Sequence, residues 1–133
     1  MSLPGSAIPI PVVAAVIRDG QRFLVSRRPD GCWEFPGGKI EPEEQPQQAL
    51  KRELLEELAI EVEVGQRLLA IEHAYPDRLV LLQVFACQIV QGQPKSVGVT
   101  ELKWLRPEEI SSLNLLAADE AIVAYLKNRL AGP

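Results

Sequence analysis

Val12-Val13-Ala14-Ala15-Val16-Ile17 is an unbroken apolar run, three β-branched valines and one isoleucine beside two alanines. A strand with one face in water alternates apolar and polar residues. A continuous run suits a strand buried on both faces. Asp19-Gly20 follows as a turn signal, and Phe23-Leu24-Val25 continues as a second strand, so a hairpin is expected. Residues 45–59 read as a helix, because Leu50, Leu54 and Leu58 recur every fourth residue and Pro46 fits the first turn. Three apolar β-like stretches come next, at about 62–73, 79–90 and 101–105, with Gln91-Gly92-Gln93-Pro94 breaking the last two apart. Pro107 opens a short helical turn through Ile110. A final helix is expected from Ala118 to Leu130, with Ala121, Ile122, Tyr125, Leu126 and Leu130 as its apolar face. Strands, helix, strands, helix predicts an α+β fold, an α/β/α sandwich in which helices pack on a mixed β-sheet.

A length of 133 residues suits a single domain, 1–133, of which 1–8 read as a flexible leader. The net charge of −4 argues against a protein that grips nucleic acid polymers. Small phosphorylated ligands remain open, since a divalent metal can supply positive charge. No apolar run approaches the ~20 residues of a membrane span, and no signal peptide opens the chain, so a cytoplasmic monomer is expected. Cys32 and Cys87 are too few for a disulfide scaffold or a tetrahedral zinc site. His73 is the single histidine, and no G-x-S-x-G is present, which disfavours a serine triad.

The segment carrying chemistry is 37–60, GGKIEPEEQPQQALKRELLEELAI. On a helix Glu53, Glu56 and Glu57 share a sector roughly 100° wide beside the leucine stripe. Glu57 lies four residues from both Glu53 and Glu61, so like charges crowd. Arg52 is the one well-placed cation and can pair with Glu56. Crowded carboxylates raise one another's pKa or recruit a cation, for which Mg²⁺ or Mn²⁺ is the natural choice. From charge spacing alone a solvated acidic face is the other reading. Gly37-Gly38 upstream allows a ligand close to the main chain, and Lys39 beside it can meet a phosphate. This is no P-loop, since Trp33 and Ile40 stand where Gly and Ser or Thr would be needed.

Gly38, Glu44, Arg52-Glu53-Leu54, Glu56-Glu57 and Ala59-Ile60 closely resemble the Nudix box, G-x5-E-x7-R-E-U-x-E-E-x-G-U with U apolar. Only the late glycine differs, as Ala59. Glu34-Phe35-Pro36, Tyr75-Pro76-Asp77-Arg78, Trp104 and Ala118-Asp119-Glu120 extend the likeness to the MutT branch, over roughly residues 10–130.

The resemblance implies a metal-dependent pyrophosphohydrolase that converts a (deoxy)nucleoside triphosphate to monophosphate and pyrophosphate. The substrate expected is a modified or oxidised nucleotide such as 8-oxo-dGTP, or a cytosine nucleotide. ADP-ribose or dinucleoside polyphosphate hydrolysis and a non-catalytic nucleotide-binding module are the alternatives. Carried over, Glu53, Glu56, Glu57 and the Gly37 carbonyl would hold Mg²⁺ or Mn²⁺. Glu53, Arg52 and Glu44 form the catalytic group: Arg52 would orient the carboxylates and Glu44 would brace the loop. Lys39 and Arg28 would contact phosphates. Phe35, Arg78 and Asp119 would meet the base, although each has a plainer reading, as core aromatic, exposed arginine and helix cap respectively. Aspartate, when ionised, only accepts hydrogen bonds and so favours bases that present donors.

The position six residues before Trp104, glutamate in many MutT-like enzymes, is Gly98 here. The general base expected is therefore Glu53, with Glu101 second.

Overall fold

The computed structural model describes residues 8–130. The leader expected at 1–8 lies outside that range except for Ile8, which is 85% exposed. In chain order the elements are β1 (Ile10–Asp19), β2 (Arg22–Arg27), β3 (Trp33–Glu34), β4 (Gly37–Lys39), α1 (Pro46–Leu58), β5 (Glu61–Tyr75), β6 (Arg78–Gln91), β7 (Glu101–Leu105) and α2 (Pro107–Ile110). A 3₁₀ turn, Ala117–Asp119, then leads into α3 (Glu120–Leu130).

The strands form one mixed sheet, ordered β3-β2-β1-β6-β5, with β4 added on β1 and β7 on β2. β1 and β6 run parallel, with Ala14 opposite Val84, and the remaining pairs are antiparallel. β1 explains its own composition. Val13, Ala15 and Ile17 pack with Leu50, Leu54 and Leu58 of α1 on one side. Ala14 and Val16 pack with Ile110 of α2 and Ile122, Val123 and Leu126 of α3 on the other. Both faces of Val13–Ile17 are buried, so those positions stay apolar without a break, while Val12 is half-buried. The three layers agree with the expected sandwich, and each fully buried leucine contributes roughly 1.5–3 kcal/mol.

Two outcomes differ in detail. β5 and β6 run longer than their apolar stretches, because they pair down to Tyr75 opposite Arg78 around a tight Pro76-Asp77 turn. On α3, Ala121 is exposed and Val123 is buried in its place, because the helix is rotated so that Ile122, Val123 and Leu126 face the sheet.

α1 sets the position of the acidic side chains, and its two ends are fixed differently. Pro46 occupies the first turn, and the Gln45 N–H donates to the Gln48 side chain at 2.9 Å. At the other end Ala59 adopts a left-handed conformation, φ 58°, and its N–H returns to the Leu55 carbonyl at 3.1 Å. The last carbonyls of a helix have no partner inside it. Here the loop between β6 and β7 supplies them. Val97 and Gly98 donate their N–H groups to the Glu57 carbonyl at 3.1 and 3.0 Å, and Lys95 donates to that of Leu58 at 2.9 Å.

Candidate active site

β4 runs antiparallel to β1 and sets Gly37 opposite Ala14. A side chain at Gly37 would overlap the Val13 carbonyl, and one at Gly38 would overlap the Glu53 carboxylate. The glycine pair thus lets α1 lay the Glu53 carboxylate directly on the main chain of β4.

Arg52 organises the surrounding charge. Its Nε and Nη2 grip Glu44 at 2.7 and 2.9 Å, a bidentate pairing. Its Nη1 donates to Glu53 at 2.9 Å and to Glu56 at 3.1 Å, and Nη2 also reaches the Lys39 carbonyl at 3.1 Å. Glu44 in turn accepts the Glu41 N–H at 3.0 Å, closing the loop that enters α1. The Arg52 guanidinium, with help from that N–H, holds the Glu44 carboxyl down to about 2.

Glu57 faces a cleft of about 300 Å³ instead. Burial, then the neighbouring Glu53 and Glu56, push its carboxyl up to about 7. Arg28, Gly37, Gly38 and Lys39 line the same cleft. Arg28 lies 3.2 Å from Asp30 and 3.9 Å from Glu34, whereas Lys39 makes no ion pair among the described residues.

Tyr75, Arg78, Leu116, Ala118 and Asp119 line the cleft too, with Val12, Phe35, Val80 and Leu82. Asp119 is 3% exposed, and its Oδ2 accepts the Phe35 N–H at 2.8 Å. Burial pushes its carboxyl up to about 7, against the Phe35 N–H and Arg28, which pull it down. Glu34 also lines the cleft. Burial first, then Asp119, raise it to about 8, with Glu57 adding to the effect. The Arg78 guanidinium lies 4.4 Å over the Tyr75 ring and pairs with Asp77 at 2.9 Å.

The structure gathers Arg28, Phe35, Gly37, Lys39, Glu57, Arg78 and Asp119 around this one cleft. Glu44, Arg52, Glu53 and Glu56 form the adjoining network. Several expectations need correction. The Phe35 ring is 2% exposed and belongs to the core, so it offers no stacking face; its N–H is what reaches the site. Asp119 does not cap α3, since its carboxylate is taken by Phe35 across the fold. Glu101 does not line the cleft, and its carboxylate lies 3.8 Å from Arg27 and 3.9 Å from Lys103. Gly98 sits against α1, where an added Cβ would come within 3.1 Å of Glu57 Cγ. His73 stacks edge-on against Tyr75, 4.5 Å between centroids, and does not line the cleft.

Among the described residues no three acidic, imidazole or thiol groups already converge on a common point. The expected ligand set is not preassembled, because Arg52 draws Glu53 and Glu56 to itself. The donors still fit a hard divalent cation. They are all oxygens, and the charge crowding that raises Glu57 is what a cation would relieve. Glu34 and Tyr75 belong to the site without having been singled out as site residues. The raised carboxyl of Glu34 depends on a neighbour 85 positions downstream, which no local pattern encodes.

A NUDIX domain model matches residues 12–125, a span that contains every group just described. The chain belongs to the Nudix family. This Nudix hydrolase is 36% identical over 130 residues to the CTP pyrophosphohydrolase of Escherichia coli (strain K12), covering 93% of this chain and 96% of that protein. It is 33% identical over 122 residues to the 8-oxo-dGTP diphosphatase of the same organism, covering 87% and 95%. Among solved structures, that of the E. coli ORF135 protein superposes with a TM-score of 0.76 at 34% identity, covering 98% of this chain and 94% of that one. The MutT NUDIX hydrolase of Burkholderia pseudomallei superposes with a TM-score of 0.81 at 26% identity, covering 89% and 98%.

Proposed function

We propose that this Nudix hydrolase is a monomeric pyrophosphohydrolase of free nucleoside triphosphates, releasing monophosphate and pyrophosphate, and that it prefers a cytosine or guanine base, oxidised or methylated forms included. The observation that carries the reading is the composition of one cleft. Cations and crowded carboxylates share its lining with a buried carboxyl, Asp119, and with Arg78. Its volume suits one nucleotide better than a dinucleotide.

Glu53, Glu56, Glu57 and the Gly37 carbonyl would hold Mg²⁺ or Mn²⁺. When bound, that ion neutralises the polyphosphate and favours deprotonation of water. Lys39 and Arg28 bind the phosphates and orient them for in-line displacement. Arg52 fixes the rotamers of Glu44 and Glu53 beside the cleft. Glu53 is the proposed general base, since Gly98 has no side chain and Glu101 lies outside the cleft. Asp119 accepts from an exocyclic amino group or ring N–H of the base, with Arg78 opposite. The CTP pyrophosphohydrolase and the 8-oxo-dGTP diphosphatases, named for bases that carry such donors, support that choice.

The experiment is pyrophosphate release from CTP, dCTP, 5-methyl-dCTP, dGTP, 8-oxo-dGTP, dTTP and ADP-ribose, with Mg²⁺, with Mn²⁺ and with chelator. Turnover of ADP-ribose above all triphosphates, or rates untouched by chelator, would overturn the reading.

A further inference from the structure

Tyr75 closes β5, and its side chain touches both halves of the proposed base end. Its hydroxyl accepts the Ala118 N–H at 3.0 Å. Its ring carries the Arg78 guanidinium at 4.4 Å and meets the edge of His73 on its other contact. Ala118 lies in the 3₁₀ turn that ends at Asp119, and that turn has no side-chain cap of its own. The first N–H groups of such a turn lack internal partners, so the tyrosine hydroxyl satisfies one of them from a distant strand. The turn itself is closed by the Asp119 N–H on the Leu116 carbonyl at 2.9 Å. Moving the Ala118 backbone therefore moves Asp119 with it.

The hairpin tip is otherwise held weakly. Pro76 and Asp77 are exposed, and Arg78 finds only Asp77 and the ring. Without the hydroxyl, nothing else among the described hydrogen bonds ties the β5–β6 tip to the entrance of α3. A cation is attracted to an aromatic face only while the ring is held beneath it.

We infer that Tyr75 is a positioning residue for base selection: one side chain fixes the separation of Arg78 and Asp119 across the cleft, through its ring on the first and its hydroxyl on the backbone beside the second. This rests on the proposal that Arg78 and Asp119 meet the base. Tyr75 need not touch the nucleotide to act. Its loss loosens the gap between two groups that do.

The test uses the full chain and five variants: Tyr75→Phe, Tyr75→Leu, Arg78→Ala, Asp119→Ala and the Tyr75→Phe/Arg78→Ala double. Tyr75→Phe keeps the ring and removes only the hydroxyl. It should narrow the ratio of kcat/KM for the preferred nucleotide over dTTP about 3- to 10-fold, the worth of one neutral hydrogen bond. The change should fall in KM, with kcat held. Calorimetric binding of CMP and dTMP to metal-free protein should lose the same discrimination. The loss should shrink in the Arg78→Ala background, because the two groups act through one another. Tyr75→Leu should lose more than Tyr75→Phe. A lowered melting temperature with an unchanged base ratio, or full additivity in the double variant, overturns the inference. Failure of Arg78→Ala and Asp119→Ala to move the base ranking fells the underlying assignment as well. A shift in those two without one in Tyr75→Phe fells this inference alone.

Discussion

The carboxylate of Asp119 accepts the backbone N–H of Phe35 at 2.8 Å, across 84 residues of sequence. One oxygen is committed to the fold, and the other makes no hydrogen bond among the described residues. The same side chain thus serves the fold and the cleft, and the two roles are separable by substitution.

Asp119→Ala leaves the buried Phe35 N–H unpaired, at a cost of about 1–3 kcal/mol. It should also flatten the preference among bases by about 10- to 100-fold in specificity constants, while metal dependence persists. Asp119→Asn restores an acceptor for Phe35 and should recover most of the stability, with a different base ranking because the amide also donates. Denaturant titration and a comparison of dCTP, dGTP, 8-oxo-dGTP and dTTP check both. A stability loss in Asp119→Ala with an unchanged base ranking would leave Asp119 a purely structural residue.

Stability without metal should fall as pH rises from about 4 to 8. Glu34 and Asp119 are raised from 4.5 and 3.8 in the free side chain to about 8 and about 7 in the fold. Between those limits the folded state holds protons that the unfolded chain has released, so raising the pH favours unfolding. Each tenfold change in proton affinity is worth ~1.4 kcal/mol, and the combined loss should be on the order of a few kcal/mol. Urea melts in chelator at pH 5 and pH 8 measure it. Glu34→Gln should flatten the curve. An equal midpoint at both pH values in the parent protein would show that these groups do not titrate as described.

Glu57→Gln should abolish most turnover at saturating metal. Metal-free thermal stability should hold or rise slightly, since a neutral side chain removes repulsion from Glu53 and Glu56 and the burial of a charge. The divalent-cation titration of melting temperature should weaken in parallel. Near-normal kcat in this variant would remove Glu57 from the metal site.

Ala59→Gly should stabilise the protein by about 0.5–1 kcal/mol. The left-handed backbone at Ala59, φ 58°, is strained for any residue with a Cβ and free for glycine. Activity should not change, because the position closes α1 without entering the cleft. Equilibrium unfolding of the two proteins decides it.

Much of the fold was legible because it rests on local periodicity. The run at Val12–Ile17 is solid because two layers cover it, and the leucines of α1 repeat at the helical spacing because they fill one side of that strand. The box helix was expected at 45–59 and spans Pro46–Leu58. What escaped depends on contacts between distant segments. Nothing near Glu34 announces that Asp119 and Glu57 will share its surroundings. Phe35 was expected to meet the base because it precedes the glycine pair, yet the packing that buries its ring sets only its N–H in the site. Ala121 fell on the expected helical face, and only the docking angle of α3 decides for Val123 instead.

β1 has a further consequence for how such a cleft can change. Val12, Val13 and Ala14 form its floor, while the neighbouring strands on either side carry Gly37 and Val80. The span between the proposed phosphate-binding and base-binding groups is therefore a width of sheet, taken across β1 from β4 to β6. No side-chain substitution can stretch it without disturbing both cores at once. A substrate longer or shorter between its phosphates and its base has to be met at the rims, by the β5–β6 tip or by the entrance of α3. Divergence of substrate range within this scaffold should accordingly be written in those two segments, and the strand beneath them should act as a fixed gauge.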